Sequence, residues 1–425
     1  MKEKVKLEKK QWLACIVCGM AYVALGNLQY LARDYYVIYK EANGLTDGQM
    51  GMIMTAVGIA AVIAYFYNGF VTDLVRPRVM MMFSCSVCVI LGIILLVNPG
   101  YVLSVAAFCG FALLPMWSPM AKLLAGIGTQ EQSNQIFAYL DFFIAAAGLL
   151  AGFAASAAVS AMGAGFGVKT LTVMYIIMNV LCVVTLPFVD KTTKEEFIAQ
   201  KQTAEDGFSL NNVLILFRDP DQWLGWLAIG LGYTGYIGMT YISPLLADVF
   251  NVSPGVITVL DTVKNSGIGL VAPLIAGMLA TKFGAVRSYF VWLGLYIISM
   301  LLIIIMPWTA ALAIIAILCI IMLSFSVKGR SAISSTVMTN VATPMALFGT
   351  SIGIQSLIMT IPDTFFYTIA GNLIDSYGNL GYYFVFGGCL VFALLGFLCC
   401  FILDRRLKAG KTSEWFFAQK HGKSQ

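Results

Sequence analysis

Twelve runs of mostly apolar residues recur along this chain, each about 20 residues or longer, and they constrain its fold more than any other feature. They fall near 12–38, 49–70, 79–98, 101–125, 136–160, 170–189, 223–247, 254–279, 286–306, 309–338, 346–371 and 380–403. In hydrocarbon every backbone N–H and C=O must bond within the protein, so only helices and closed barrels can span. The runs are continuous rather than short stretches of alternating polarity, which predicts helices. A single long hydrophilic stretch, Asp190 to Asp221, divides them into two sets of six. With 60% hydrophobic and 11% charged residues the chain lies far from a soluble domain, where about 25% are charged. The expectation is an all-α membrane protein of twelve transmembrane helices in two six-helix halves. Its parts are an N-terminal bundle (1–189), a cytoplasmic linker (190–222), a C-terminal bundle (223–403) and a cytoplasmic tail (404–425).

The basic N-terminus leads into a run too long for a signal-peptide core, and that run ends at Arg33-Asp34 rather than at a small-residue cleavage site, so a retained first span is expected. Lys and Arg concentrate on one side: the N-terminus, Arg76 and Arg78, Lys191, Lys194 and Lys201, Lys282 and Arg287, and Arg405 to Lys408. The other side carries Lys40, Lys169 and little else, which places both termini in the cytoplasm. The ten cysteines lie inside apolar runs, and the single histidine, His421, is in the tail. Cys15-x-x-Cys18 and Cys85-x-x-Cys88 therefore read as small core residues rather than metal or redox pairs. With no nucleophile–base set, P-loop or dinucleotide fingerprint, no enzyme, cofactor or ATP-driven pump is expected, and the modest net charge of +5 points to no nucleic-acid partner.

Charges within the runs carry the functional signal. A Lys, Arg or Asp at the centre of a span costs about 2.5–3.5 kcal/mol on insertion scales, so it normally faces protein or a wet cavity. The first run contains Tyr30, Arg33 and Asp34. Arg33 is a substrate-ligand candidate; snorkelling to the outer interface is the alternative. Asp261 and Lys264 share a face of the eighth run at i,i+3, either as a self-neutralised structural pair or as a substrate or switch pair. Lys328 and Arg330, two residues apart in the tenth run, must point in different directions. One is expected to face the cavity and the other a neighbouring helix or the inner interface, with the choice open. In the eleventh, Asp363 follows Pro362, which removes a donor and kinks the helix, so Asp363 reads as a coupling acid or as partner to a buried base. Tyr30 and Tyr236 offer stacking surface and a hydroxyl. Gly148-x-x-x-Gly152 reads as a helix-packing stripe.

Two turns repeat at matching positions. Gly69-Phe-Val-Thr-Asp73-Leu-Val-Arg76-Pro-Arg78 follows the second run, and Gly277-Met-Leu-Ala-Thr281-Lys282-Phe-Gly284-Ala-Val-Arg287 follows the eighth. The glycine suits close helix approach, the acid can cap or pair, and the bases hold the turn at the headgroups. With this motif the chain resembles the major facilitator superfamily over essentially its whole length, which implies a six-plus-six transporter working by alternating access. Within it, Tyr30-Leu-Ala-Arg33 is similar to the first-helix Tyr-Leu-Val-Arg of the organophosphate–phosphate antiporters, whose arginine binds phosphate. Gly69 to Asp73, Pro77-Arg78, Trp117-Ser-Pro119 and Gly371-Asn-Leu-Ile-Asp375 with Tyr377-Gly378 also resemble that branch. Tyr236 stands where the branch has a second arginine, and Ile144 where it has a histidine.

The expected function is secondary active transport of a small anionic organic solute, a carboxylate or phosphate ester, across the inner membrane. Arg33, Lys264 and one of Lys328 and Arg330 would supply the cations, because a guanidinium fork grips two oxygens at once. Coupling would be by anion exchange or by protons at Asp363 or Asp34. The partners implied are the solute, the bilayer, and protons or a counter-anion, with the chain a monomer. A multidrug or hydrophobic-solute/proton exporter is the alternative, though paired charges suit it poorly. A transporter-like membrane sensor is another, for which the short tail offers little output surface.

Overall fold

The computed structural model of the chain describes residues 8–97, 100–127, 130–189, 216–341 and 345–410. Every regular element among them is helical, and the helices follow the apolar runs closely. The second span is Asp47–Leu74, the third Pro77–Leu96, the fifth Gln130–Met162, the sixth Ala164–Val189, the ninth Ala285–Ile305, the tenth Ala313–Asn340 and the twelfth Asn379–Lys408. The last of these carries the helix into the segment expected to be tail, with Arg405, Arg406 and Lys408 in its last turn facing the negative end of the dipole.

The remaining five spans are interrupted, and this organises the molecule. The first runs as Lys9–Gln29, Leu31–Asp34 and Tyr36–Asn43, opening at Tyr30 and again at Tyr35. The fourth is Tyr101–Leu113 and Trp117–Ile127 with Pro115 in the gap. The seventh is two 14-residue helices, Pro220–Tyr233 and Gly235–Asp248, joined at Thr234. Each half is too short to cross a membrane alone, so among the described residues eleven helical stretches are individually long and apolar enough, and the joined halves make the twelfth crossing. The eighth is Pro254–Thr262, a π-helical Val263–Gly267 and Ile268–Phe283. In the eleventh, Met345–Thr360 gives way to a 3-10 turn, Ile361–Thr364, before Phe366–Tyr377; the break expected at Pro362 is there. Loosened backbone at membrane depth survives only against protein or a wet cavity, so these breaks mark where polar chemistry is placed.

Local chemistry sets the ends. Thr46 and Gln49 form a capping box at the second span, with Gln49 N to Thr46 Oγ1 at 3.2 Å and Thr46 N to Gln49 Oε1 at 2.9 Å. Asp219 caps the seventh by accepting from Asp221 N at 2.9 Å, with Pro220 at the first helical position. That cap starts the helix three residues before the apolar run does.

By contacts the chain forms two compact units, Met1–Glu205 with Ser253–Leu270, and Asp206–Val252 with Val271–Gln425. The first half of the eighth span therefore packs with the first six. Burial follows membrane logic: large apolar residues such as Val102, Leu274, Ile305 and Ile314 stay exposed as a lipid-facing surface, while Ser84, Thr172, Asn179, Ser299 and Ser324 are buried. Many of the inner hydroxyls bond the carbonyl one turn back, as Thr172 does to Val168 O at 2.9 Å and Ser299 to Leu295 O at 2.7 Å.

Candidate functional site

In the first unit the polar residues of the first and eighth spans meet. Leu31–Asp34 is a four-residue helix bounded by turns, and there Arg33 Nε reaches Asp34 Oδ1 at 2.9 Å while its guanidinium lies 3.7 Å from the Tyr30 ring centre. Neighbours on a regular helix point about 100° apart; the flanking breaks are what let these two meet. On the eighth span Lys264 Nζ bonds Asp261 Oδ1 at 2.7 Å, and both side chains are almost fully buried. The i,i+3 pair expected there is formed. Lys264 stands inside the π-helical segment, a form that recurs at functional sites.

The next residue, Asn265, donates to the Asp34 carbonyl at 2.9 Å and so ties the segment to the end of the first-span break. Two hydroxyl contacts lie beside it: Asn27 donates to the Tyr175 hydroxyl at 2.8 Å, and Tyr35 Oη stands 3.4 Å from Thr262 Oγ1. Thr262 spends its own hydrogen on Thr258 O at 2.8 Å, so Tyr35 is the donor. The stripe Gly148 and Gly152 does pack helices, and its partner is this same segment. A Cβ on Gly148 would overlap Ser266 Oγ, and one on Gly152 would overlap Thr262 and stand 2.6 Å from Tyr35 Oη. Asn27, Tyr175, Tyr35, Thr262 and Asn265 were not among the sequence candidates. Only Asn265, a polar residue beside Lys264, left a local signal.

In the second unit the arrangement differs. Tyr233 and Tyr236 flank the Thr234 break with ring centres 5.0 Å apart, and Lys328 Nζ lies 5.6 Å from the Tyr236 ring centre. Lys328 is half-buried, whereas Arg330 is 2% exposed. The two differ in accessibility: Lys328 keeps some exposed surface and Arg330 almost none. Arg330 Cζ stands 5.4 Å from the Tyr296 ring centre and 6.0 Å from that of Tyr289, and its Nη1 has no hydrogen-bond partner. Among the described residues neither Lys328 nor Arg330 has a carboxylate within ion-pair distance, whereas Arg33 and Lys264 each have one. Asp363 is buried in the 3-10 turn of the eleventh span.

The loop motifs are less uniform than their sequences. The surroundings of Gly69 and the side chain of Asp73 lie outside the described residues. Arg78 sits half-buried in the first turn of the third span. Gly277 departs from the expected role in close helix approach, because a Cβ there meets nothing within 4 Å. It instead lines a cavity of about 340 Å³ with Thr281, Gly284, Ile333 and Thr336. Arg287 reaches Asp404 Oδ1 of the twelfth span at 3.3 Å, and Arg406 pairs with buried Asp221 at the start of the seventh. These last pairings join distant parts of the chain and had no sequence signature.

Comparison with known proteins fits this geometry. The family model of the Major Facilitator Superfamily matches residues 12–362. The chain belongs to that superfamily. It is therefore a multi-pass membrane transporter of a small-molecule substrate, not an enzyme. It is 23% identical over 413 residues to the inner membrane protein YihN of Escherichia coli (strain K12), covering 95% of this chain and 98% of that one. Its structure is similar to that of the nucleoside transporter NupG, with a TM-score of 0.69 at 14% identity over 94% of this chain and 100% of that one. It is also similar to a D-xylose–proton symporter, with a TM-score of 0.71 at 14% identity over 93% and 95%. At such identities the solved structures speak for the superfamily fold alone, the twelve-helix transporter fold expected from the sequence.

Proposed function

We propose that this transporter carries a small anionic organic solute, a carboxylate or phosphate ester, with Lys328 over Tyr236 as its main anchor. One observation carries the reading. The intramembrane cations Arg33 and Lys264 of the first unit are neutralised by Asp34 and Asp261, while the half-buried Lys328 has no carboxylate partner among the described residues. A positive charge at membrane depth without a carboxylate favours a ligand that brings the negative one. Arg33 over Tyr30 is the matching cation–tyrosine contact of the first unit, and it takes part by exchanging Asp34 for the solute. Lys264 does the same through Asp261. The resemblance of Tyr30-Leu-Ala-Arg33 to the organophosphate–phosphate antiporters supports phosphate esters among the anions. Transport proceeds by alternating access, coupled to a counter-anion or to protons held at Asp363 or Asp34. The chain works as a monomer in the inner membrane, where its relative YihN is named, and the basic loops support cytoplasmic termini.

The test is thermal stabilisation of purified protein by inorganic phosphate, glycerol 3-phosphate and succinate, with glucose and uridine as neutral controls. A ligand at a hundredfold excess over its Kd stabilises the folded state by about 2.7 kcal/mol. Anions are expected to stabilise the wild type and not Lys328→Gln. Stabilisation by the neutral compounds alone, or an unchanged anion response in Lys328→Gln, refutes the anion reading. Proteoliposomes loaded with counter-anion or with a pH gradient then separate the two couplings.

A further inference from the structure

The least comfortable side chain in the second unit is Arg330, and its position gives it a task. The residue is 2% exposed, with Nη1 unbonded, and its guanidinium lies against the seventh span where that span breaks. A Cβ on Gly232 would stand 3.0 Å from Nη1 and 2.7 Å from Tyr289 Oη; one on Gly235 would stand 2.9 Å from Nη2 and 3.2 Å from Tyr296 Cε2. The two glycines flank Thr234, itself fully buried with Oγ1 bonded to Leu231 O at 2.7 Å. The arginine thus occupies the room their missing side chains leave, with Tyr289 and Tyr296 behind it. The helix Pro220–Tyr233 also ends here, with Leu231 O taken by Thr234 Oγ1. The same break carries Tyr233 and Tyr236, and Lys328 stands two residues from Arg330 on the tenth span.

We propose that Arg330 is a positioning residue, a brace that holds the seventh-span break at Gly232–Gly235 and so sets where Tyr236 stands relative to Lys328. This rests on the reading that Lys328 and Tyr236 contact the solute, and it adds a specific role for a residue that does not itself touch it. The brace predicts a coupling. Gly235→Ala intrudes on the guanidinium and displaces the break, whereas in an Arg330→Ala background the same alanine finds room. The two changes should therefore be strongly non-additive.

The test measures two quantities in wild type, Arg330→Met, Arg330→Lys, Arg330→Ala, Gly235→Ala and Gly235→Ala/Arg330→Ala. One is the affinity for whichever probe of the panel above stabilises the wild type. The other, needing no ligand, is the acrylamide quenching that Tyr236→Trp adds in each background. Expected are unchanged or higher apo melting temperatures for Arg330→Met, at least tenfold weaker binding, and altered quenching at position 236. Arg330→Lys should recover part of the affinity, and the double variant should bind better than Gly235→Ala alone. Wild-type affinity and quenching in Arg330→Met overturn the proposal, as does additivity of the double variant. A fall in melting temperature with both other readouts unchanged also overturns it, because that is ordinary structural packing. Failure of the substrate reading looks different: the stabilising probe is neutral or Lys328→Gln binds normally, and the quenching comparison still decides the brace.

Discussion

Gly152→Ala offers a sharp test of how the first unit is held together. On an isolated helix this change is favourable by about 1 kcal/mol, because alanine loses less backbone freedom than glycine. In the folded unit the new Cβ would overlap the Thr262 side chain and stand 2.6 Å from Tyr35 Oη. Thr262 is β-branched, fully buried and bonded to Thr258 O, so it has no rotamer to retreat to. The eighth span must then back away, or the Tyr35–Thr262 contact at 3.4 Å must go. Overpacking costs about 1–3 kcal/mol and a buried hydrogen bond about 1 kcal/mol. Against the propensity gain, the net is a loss of about 1–3 kcal/mol. The assay is denaturant unfolding in detergent, comparing Gly152→Ala with Thr262→Ala and the double variant. Truncating Thr262 removes the atoms in the way, so the double variant should be less destabilised than the sum of the singles. If Gly152→Ala is as stable as wild type or more so, or if the singles simply add, the close approach of the fifth and eighth spans at this point is refuted.

Other perturbations discriminate among the ion pairs. Asp261→Asn or Lys264→Met alone leaves its buried partner uncompensated and should cost about 3–5 kcal/mol in unfolding experiments, while the double variant should return to within about 1 kcal/mol of wild type. Arg287→Ala removes a pair whose arginine is 57% exposed, so its melting temperature should be indistinguishable from wild type at moderate salt. Asp219→Ala removes the cap of the seventh span; a cost of about 0.5–2 kcal/mol is expected, with increased amide exchange at Asp221 and Gln222 by mass spectrometry.

Much of the candidate site was legible one residue at a time and illegible in its pairings. Arg33, Lys264, Lys328 and Arg330 stand out because each is a charge in an apolar run, a local property of the string. Whether each is neutralised is not local. The partner of Arg33 is its own neighbour Asp34, which a continuous helix would have pointed elsewhere; the breaks at Tyr30 and Tyr35 carry no proline or glycine to announce them. The break at Pro362 was readable, because a proline weakens the helix by itself, whereas the one at Thr234 was not expected although Gly232 and Gly235 stand beside it. Gly277 shows the reverse case, a motif glycine whose supposed packing partner is absent from its surroundings.

The sequence alone determined the class of molecule: twelve spans, two sets of six, and membership of a transporter superfamily. It could do so because hydrophobic transfer acts on each 20-residue run almost independently of the others. Tertiary structure decided everything that depends on which helices touch. It placed Ser253–Leu270 with the first unit, set Gly148 and Gly152 against Thr262 and Ser266, and hung Asn265 on the Asp34 carbonyl. It also left Lys328 some exposed surface and buried Arg330 against two glycines of another span. Within lipid, helices have no strong hydrophobic reason to choose one neighbour over another. The choice falls to small-residue packing and a few interhelical hydrogen bonds, whose two halves lie tens to hundreds of residues apart in the chain.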